Sequence, residues 1–185
     1  MEICGIDEAG RGCCAGPLVV AGCKFIKKDE IIKKLTDSKK LTPKKREEFF
    51  EIIKEISIYH IVYKEPQEID KKGLSQVIKE ALIEIKSTIK ANEYLFDGNT
   101  NFGIKGIKPI IKGDLKIKEI SAASILAKVS RDRFMIEMDK LYPNYNFKQH
   151  KGYITKEHIQ KIREYGYCDI HRKSYKLKSI QGRLF

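Results

Sequence analysis

Leu74, Val77, Ile78, Ala81, Leu82, Ile85 and Ile89 recur at i, i+3, i+4, i+7, i+8, i+11 and i+15, a single apolar line along one helix. A helix with one such line must lie on an apolar layer. The chain supplies that layer in short runs rich in β-branched and aromatic residues: Met1 to Ile6, Pro17 to Ile26, Ser57 to Tyr63, Glu93 to Asp97 and Ile107 to Ile111. The first two read as paired strands joined by a glycine-rich turn. Thr42-Pro43, a cap followed by proline at the first helical position, opens a second helix, with Phe49, Ile53 and Ile56 at helical spacing behind it. A long helix runs from about Ile120 to Leu141, and after Pro143 come a helical stretch near Lys156 to Glu164 and an irregular basic tail. Strands and helices in this order predict an α/β architecture with a mixed sheet.

The 185 residues fit one domain with a small C-terminal appendage, long enough for a real core. A formal charge of +12 points to a polyanionic partner, nucleic acid first, because clustered Lys and Arg displace counterions from phosphates. A solvated lysine-rich surface is the alternative. Cys4, Cys13, Cys14, Cys23 and Cys168 show no C-x-x-C pairing and sit mostly among apolar neighbours, as thiols do in a reducing compartment. No basic-then-apolar leader opens the chain and no apolar run is long enough to span a bilayer. A cytoplasmic protein with no membrane partner is the expectation.

Gly5-Ile6-Asp7-Glu8-Ala9-Gly10-Arg11-Gly12 sets two adjacent carboxylates, suited to hard divalent cations, beside a backbone open to a polyanion. Alone, it reads equally as a strand ending in a solvated acidic turn. Asp97-Gly98 and Gly113-Asp114 are ordinary turns one at a time. Together, Asp7, Asp97 and Asp114 fall at or just beyond strand ends, where open α/β sheets form their ligand crevices. Three carboxylates converging there repel one another unless Mg²⁺ or Mn²⁺ is present. Asp7 and Glu8 point to opposite faces of an extended strand, so both serve one site only if the strand bends, which Gly10 and Gly12 permit. Ser121, Ser124, Lys128 and Arg131 form a polar stripe opposite Ala122, Ile125, Leu126 and Val129. It reads as a set of phosphate contacts or as a solvent-facing stripe, and the pattern slightly favours the second. Asp132, between Arg131 and Arg133, reads as an ion-pair partner.

These residues, with Asp37-Ser38-Lys39-Lys40-Leu41, Lys112-Gly113-Asp114, Ser121-Ala122-Ala123-Ser124-Ile125-Leu126-Ala127-Lys128-Val129 and His150-Lys151-Gly152-Tyr153, resemble type 2 ribonuclease H (ribonuclease HII) over nearly the whole chain and in the same order. The resemblance implies an α/β ribonuclease H-like fold, a five-stranded mixed sheet flanked by helices, with a catalytic core over residues 1–142 and a substrate-binding helical segment over 143–180. It implies a metal-dependent endonuclease that cuts the RNA strand of RNA–DNA hybrids and cuts 5′ of ribonucleotides embedded in duplex DNA. Asp7, Glu8, Asp97 and Asp114 match the family's metal-binding carboxylates, which hold two Mn²⁺ or Mg²⁺ ions for hydrolysis leaving 3′-hydroxyl and 5′-phosphate ends. Gly10, Arg11 and Gly12 match the segment that recognises the ribose 2′-hydroxyl, and Tyr153 the tyrosine that stacks beneath the RNA-to-DNA junction. Lys39, Ser124 and Lys128 match contacts to phosphate.

Cys14 departs from the family, which more often has a larger aliphatic residue there. The last residues, Gln181-Gly182-Arg183-Leu184-Phe185, resemble the Q-x-x-L-F peptide that docks on the DNA-polymerase sliding clamp, so Gln181, Leu184 and Phe185 are candidate partner contacts on a tail over 181–185. A tail folded back on the core is the alternative. A monomer is expected. The competing readings are a noncatalytic nucleic-acid-binding module and another nuclease of the same fold, such as a resolvase or integrase core.

Overall fold

Strand β1 (Ile3–Ala9) runs through the acidic pair in the computed structural model, three residues beyond the apolar run that marks it in the sequence. The structure describes residues 2–35 and 38–177; Asp37 and the tail residues Gln181, Leu184 and Phe185 lie outside them. β1 pairs antiparallel with β2 (Leu18–Phe25) without interruption from Gly5 opposite Cys23 to Ala9 opposite Val19. β2 in turn pairs antiparallel with β3 (Ser57–Lys64). On the other side β1 is parallel to β4 (Glu93–Asp97), which is parallel to β5 (Ile107–Ile110). The sheet is therefore mixed, five-stranded and ordered β3-β2-β1-β4-β5.

β2 is apolar throughout because both its faces are covered. Leu18 and Val20 join one core with Cys4 and Ile6, and Val19, Ala21 and Cys23 join another with Ala9. The first core is closed by α3 (Pro66–Lys72) and α4 (Leu74–Thr88), whose Val77, Ile78, Ala81, Leu82 and Ile85 are the buried apolar line. The second is closed by α2 (Pro43–Ile56) and α5 (Lys118–Leu141). Thr42 caps α2 through its hydroxyl to the Lys45 N–H, as its spacing before Pro43 predicts.

A helix α1 (Glu30–Lys34) was not legible as a helix, nor was α3, which carries a Glu65–Glu68 capping box. The chain ends in α6 (Phe147–His150), α7 (Lys156–Tyr165) and a segment reaching back to the N-terminal turn. Ala15, Met135, Tyr145, Phe147 and Ile170 form a third apolar cluster that binds this segment to the end of α5.

Candidate active site

Pairing between β1 and β4 stops at Ile6 opposite Phe96, and the strands part beyond it. Asp7, Glu8 and Asp97 line the cleft that opens there, with Gly10, Arg11, Gly12, Ser38, Lys39, Ser124, Lys128 and Tyr153 around them. β1 stays in register with β2 through the acidic pair to Ala9. Asp97 Oδ1 accepts the Gly113 N–H at 2.6 Å, drawing the Lys112–Asp114 turn to the end of β4. Asp114 is buried and lines an adjoining cleft shared with Asp97 and Lys39. The Ser121 hydroxyl holds the Asp114 carbonyl at 2.6 Å.

Burial holds Asp7 well above the usual carboxylate range, and the charges of Glu8 and Asp97 add to it; the Glu8 N–H and the Ser124 hydroxyl oppose it. Burial pushes Glu8 up to about 7, against Arg11, which pairs with Glu8 Oε1 at 3.0 Å, and with Asp97 adding to the rise. Among the described residues no three His, Cys, Asp or Glu side chains stand close enough to form a finished metal cage. The donor set nonetheless fits a hard cation. Every candidate ligand is a carboxylate, and Glu8 Oε2 is buried with no hydrogen-bond partner, an atom that a cation or a proton must satisfy.

The stripe on α5 is not solvent-facing: Ser121, Ser124 and Arg131 are buried. α5 lies between the sheet and the C-terminal segment, and both sides of its first half are covered. Ser124 Oγ meets Ser38 Oγ at 2.8 Å, tying the Lys39 turn to the helix. Lys128 pairs with Asp132 at 2.8 Å, and its ammonium stands 5.5 Å from the centre of the Tyr153 ring. Asp132 is thus an ion-pair partner, but of Lys128, while Arg133 turns to Glu47 and Glu51.

Two fully buried arginines, whose support of the turn sequence reasoning missed, stand behind the Gly10–Gly12 turn. Arg131 donates to the carbonyls of Pro17, Ala15 and Lys151, and Arg172 to those of Gly16 and Arg11. Neither has a carboxylate partner among the described residues; their charge is spread over carbonyl dipoles. A Cβ at Gly10, whose φ is +91°, would come within 2.1 Å of Arg131 Nε, so only glycine lets the turn rest on this guanidinium. A Cβ at Gly12 would meet open space. Nothing in the sequence around Arg172 flags it; the carbonyls it holds lie more than 150 residues away.

Carboxylates gathered where two parallel strands of a β3-β2-β1-β4-β5 sheet part company, under a helix laid across them, make this a ribonuclease H-like α/β protein. Within that class the sequence decides the branch. The chain belongs to the ribonuclease HII family, whose model, described as Ribonuclease HII, matches residues 4–178. It is 55% identical over 181 residues to the ribonuclease HII of Aliarcobacter butzleri (strain RM4018), covering 97% of this chain and 93% of that protein. It superimposes with a TM-score of 0.83 and 28% identity on a chain of the PCNA:RNase HII complex from Archaeoglobus fulgidus, covering 96% of each. The ribonuclease H2 of Pyrococcus horikoshii OT3 gives a TM-score of 0.81 at 28% identity over 99% of this chain and 98% of that one. No described helix is long and apolar enough to cross a membrane.

Proposed function

We propose that this chain is a metal-dependent endoribonuclease that hydrolyses the RNA strand of RNA–DNA hybrids and cuts 5′ of ribonucleotides embedded in duplex DNA. One observation supports this above the rest: buried Asp7 and partly buried Glu8 and Asp97, with an unsatisfied Glu8 oxygen, share one cleft with the Gly10–Gly12 turn and Tyr153. Acidic groups alone would suit any nuclease of this architecture. The turn and the tyrosine give the cleft a means of testing for a 2′-hydroxyl, the group that separates RNA from DNA at a single nucleotide.

In this reading Asp7, Glu8, Asp97 and Asp114 hold two divalent ions, Mn²⁺ or Mg²⁺. When bound, such ions activate a water for in-line attack at phosphorus and stabilise the leaving 3′-oxygen. Gly10, Arg11 and Gly12 present backbone to the ribose, and Tyr153 stacks against the sugar and base at the RNA-to-DNA junction. Lys39 and Lys128 attract the phosphates flanking the cut, and Ser124 steadies Asp7 and the Lys39 turn. Residues 143–180 serve as the substrate-binding segment beside a core over 1–142, in a cytoplasmic monomer. Gln181, Leu184 and Phe185 dock on the sliding clamp, a role suggested by their pattern and by the relative solved with PCNA.

The test is a duplex DNA carrying one ribonucleotide, incubated with the protein with and without Mn²⁺. Cutting 5′ of the ribonucleotide, only with metal, with 3′-hydroxyl and 5′-phosphate ends, is expected. Binding without cutting would favour a noncatalytic module, and cutting of all-DNA duplex would favour a resolvase-like nuclease. Clamp capture by the full chain, but not by a chain lacking Gln181 to Phe185, is the matching test of the tail.

A further inference from the structure

Three of the four histidines, His150, His158 and His171, are buried side by side behind Tyr153. Their hydrogen bonds fix where each proton sits. The Cys168 N–H donates to His171 Nδ1 at 2.9 Å, so His171 carries its proton on Nε2. His171 Nε2 stands 3.0 Å from His158 Nε2, so His158 must accept there and carry its own proton on Nδ1. His158 Nδ1 lies 2.8 Å from the Tyr153 carbonyl oxygen and donates to it. His150 stacks on His158 with ring centres 4.2 Å apart, accepts the Gly152 N–H and donates from Nε2 to the Tyr145 carbonyl at 2.7 Å. All three rings are neutral, and the order of donors runs one way, from Cys168 to Tyr153.

The same segments grip the N-terminal turn. Ala15 bridges His171, the Arg172 N–H donates to the Cys14 carbonyl at 2.8 Å, and the Cys14 N–H donates to the Gly152 carbonyl at 3.0 Å. The Tyr153 hydroxyl is within hydrogen-bonding reach of the Cys13 thiol, next to Gly12. A shift at either histidine is therefore felt by the tyrosine and by the turn together.

We propose that His158 and His171 are positioning residues for Tyr153, a proton-ordered relay that sets the tyrosine against the Gly10–Gly12 turn and so governs how well a single ribonucleotide is told from its DNA neighbours. This rests on the reading of Tyr153 and the turn as the 2′-hydroxyl test. A proton added to His158 Nε2 would face the His171 N–H across 3.0 Å and break the relay. Burial holds His158 down to about 4 and His171 to about 3. His158 also faces His150, which disfavours its proton, and Glu157, which favours it; Cys14 lies 3.5 Å from its Nδ1. His171 faces Cys168, Tyr145 and Tyr167, and Lys173 disfavours its proton. The relay is intact at neutral pH and fails as pH falls toward 4.

Nitrogen-15 NMR of the histidine rings tests the relay without reference to activity. Neutral His158 protonated on Nδ1 and neutral His171 protonated on Nε2 are expected down to about pH 5; either opposite tautomer, or titration near the ordinary histidine value, overturns the proposal. The second arm compares kcat/KM on duplex DNA with one ribonucleotide against a continuous RNA–DNA hybrid. His171→Leu should lose about tenfold more on the first than on the second, and His171→Gln, whose amide replaces the Nε2 donor, should recover most of it. Equal losses on both substrates, with Gln no better than Leu, would reduce these histidines to packing and overturn the proposal. If the wild-type protein cuts neither substrate, the functional reading fails, while the tautomers still decide the relay.

Discussion

Asp97 is held by its backbone neighbour across the cleft, since Oδ1 takes the Gly113 N–H. An asparagine turned with its carbonyl oxygen toward Gly113 keeps that hydrogen bond and the Lys112–Asp114 turn but brings no charge to a cation. Asp97→Asn should therefore lower turnover by at least about a thousandfold, the several kcal/mol that a metal-held transition state is worth, while hybrid binding changes by less than about threefold. Single-turnover cleavage alongside fluorescence anisotropy would show the split. Mg²⁺-dependent cleavage near the wild-type rate would remove Asp97 from the ligand set. Asp97 was legible because it ends a strand, Asp114 because it follows one in a turn, and Asp7 because it stands beside a second carboxylate just before a glycine-rich turn, although β1 runs past it to Ala9. Arg131 and Arg172 were not, because what makes each important is a partner brought from afar by folding, and His158 and His171 were not, because only the turn after α7 brings their rings together. A buried arginine looks in sequence like any exposed one.

Among the elements, α5 and β1 matter most to one another. The first turn of α5 sits so close on β1 that a Cβ at Gly5 would fall 2.2 Å from the Glu119 carbonyl carbon. Gly5→Ala must push the helix outward, and with it Ser121 and Ser124, which steady Asp114, Ser38 and Asp7. A cost of about 1–3 kcal/mol, read as a fall in Tm of roughly 3–10 °C, is expected, with activity lost beyond what the lower stability accounts for. Differential scanning calorimetry and assays well below the new Tm would check it; an unchanged Tm would mean that α5 has room to move. α2 and α4 could be read from periodicity because each has a single face to hide, and the strands from their runs of β-branched and aromatic residues. The burial of α5 on its polar side could not, because the covering comes from α6 and the C-terminal segment rather than from any pattern in α5 itself.

For the molecule as a whole, the proposed metal site sets cations against protons on one set of carboxylates. Asp7 and Glu8 are raised in the folded chain, so between about pH 4.5 and 7 the folded state binds more protons than the unfolded state, and in the absence of metal these two groups lower stability as pH rises through that window. His158 and His171 act oppositely, lowering stability as pH falls below the ordinary histidine value. Metal isolates the first effect. The rise in Tm on adding millimolar Mn²⁺ should be small at pH 5 and grow up to pH 8, as the ions no longer have protons to displace. Thermal scans at matched ionic strength would show this; a metal-induced shift independent of pH would place the ions elsewhere. The formal charge of +12 belongs to this scale too. Hybrid affinity should fall steeply and linearly with the logarithm of salt concentration, and a flat dependence would deny the basic surface its part in binding.

The strap across the N-terminal turn has a consequence for how the protein is made. Residues 14–16 leave the ribosome long before their backbone partners Gly152, Ile170 and Arg172. A nascent chain reaching residue 150 contains every described strand, every candidate metal ligand and Arg131, but not the Gly152, Ile170 and Arg172 backbone that holds residues 14–16 behind the Gly10–Gly12 turn. Under the proposed function, the carboxylates of the cleft are complete in the growing chain before the strap that steadies the turn beside them.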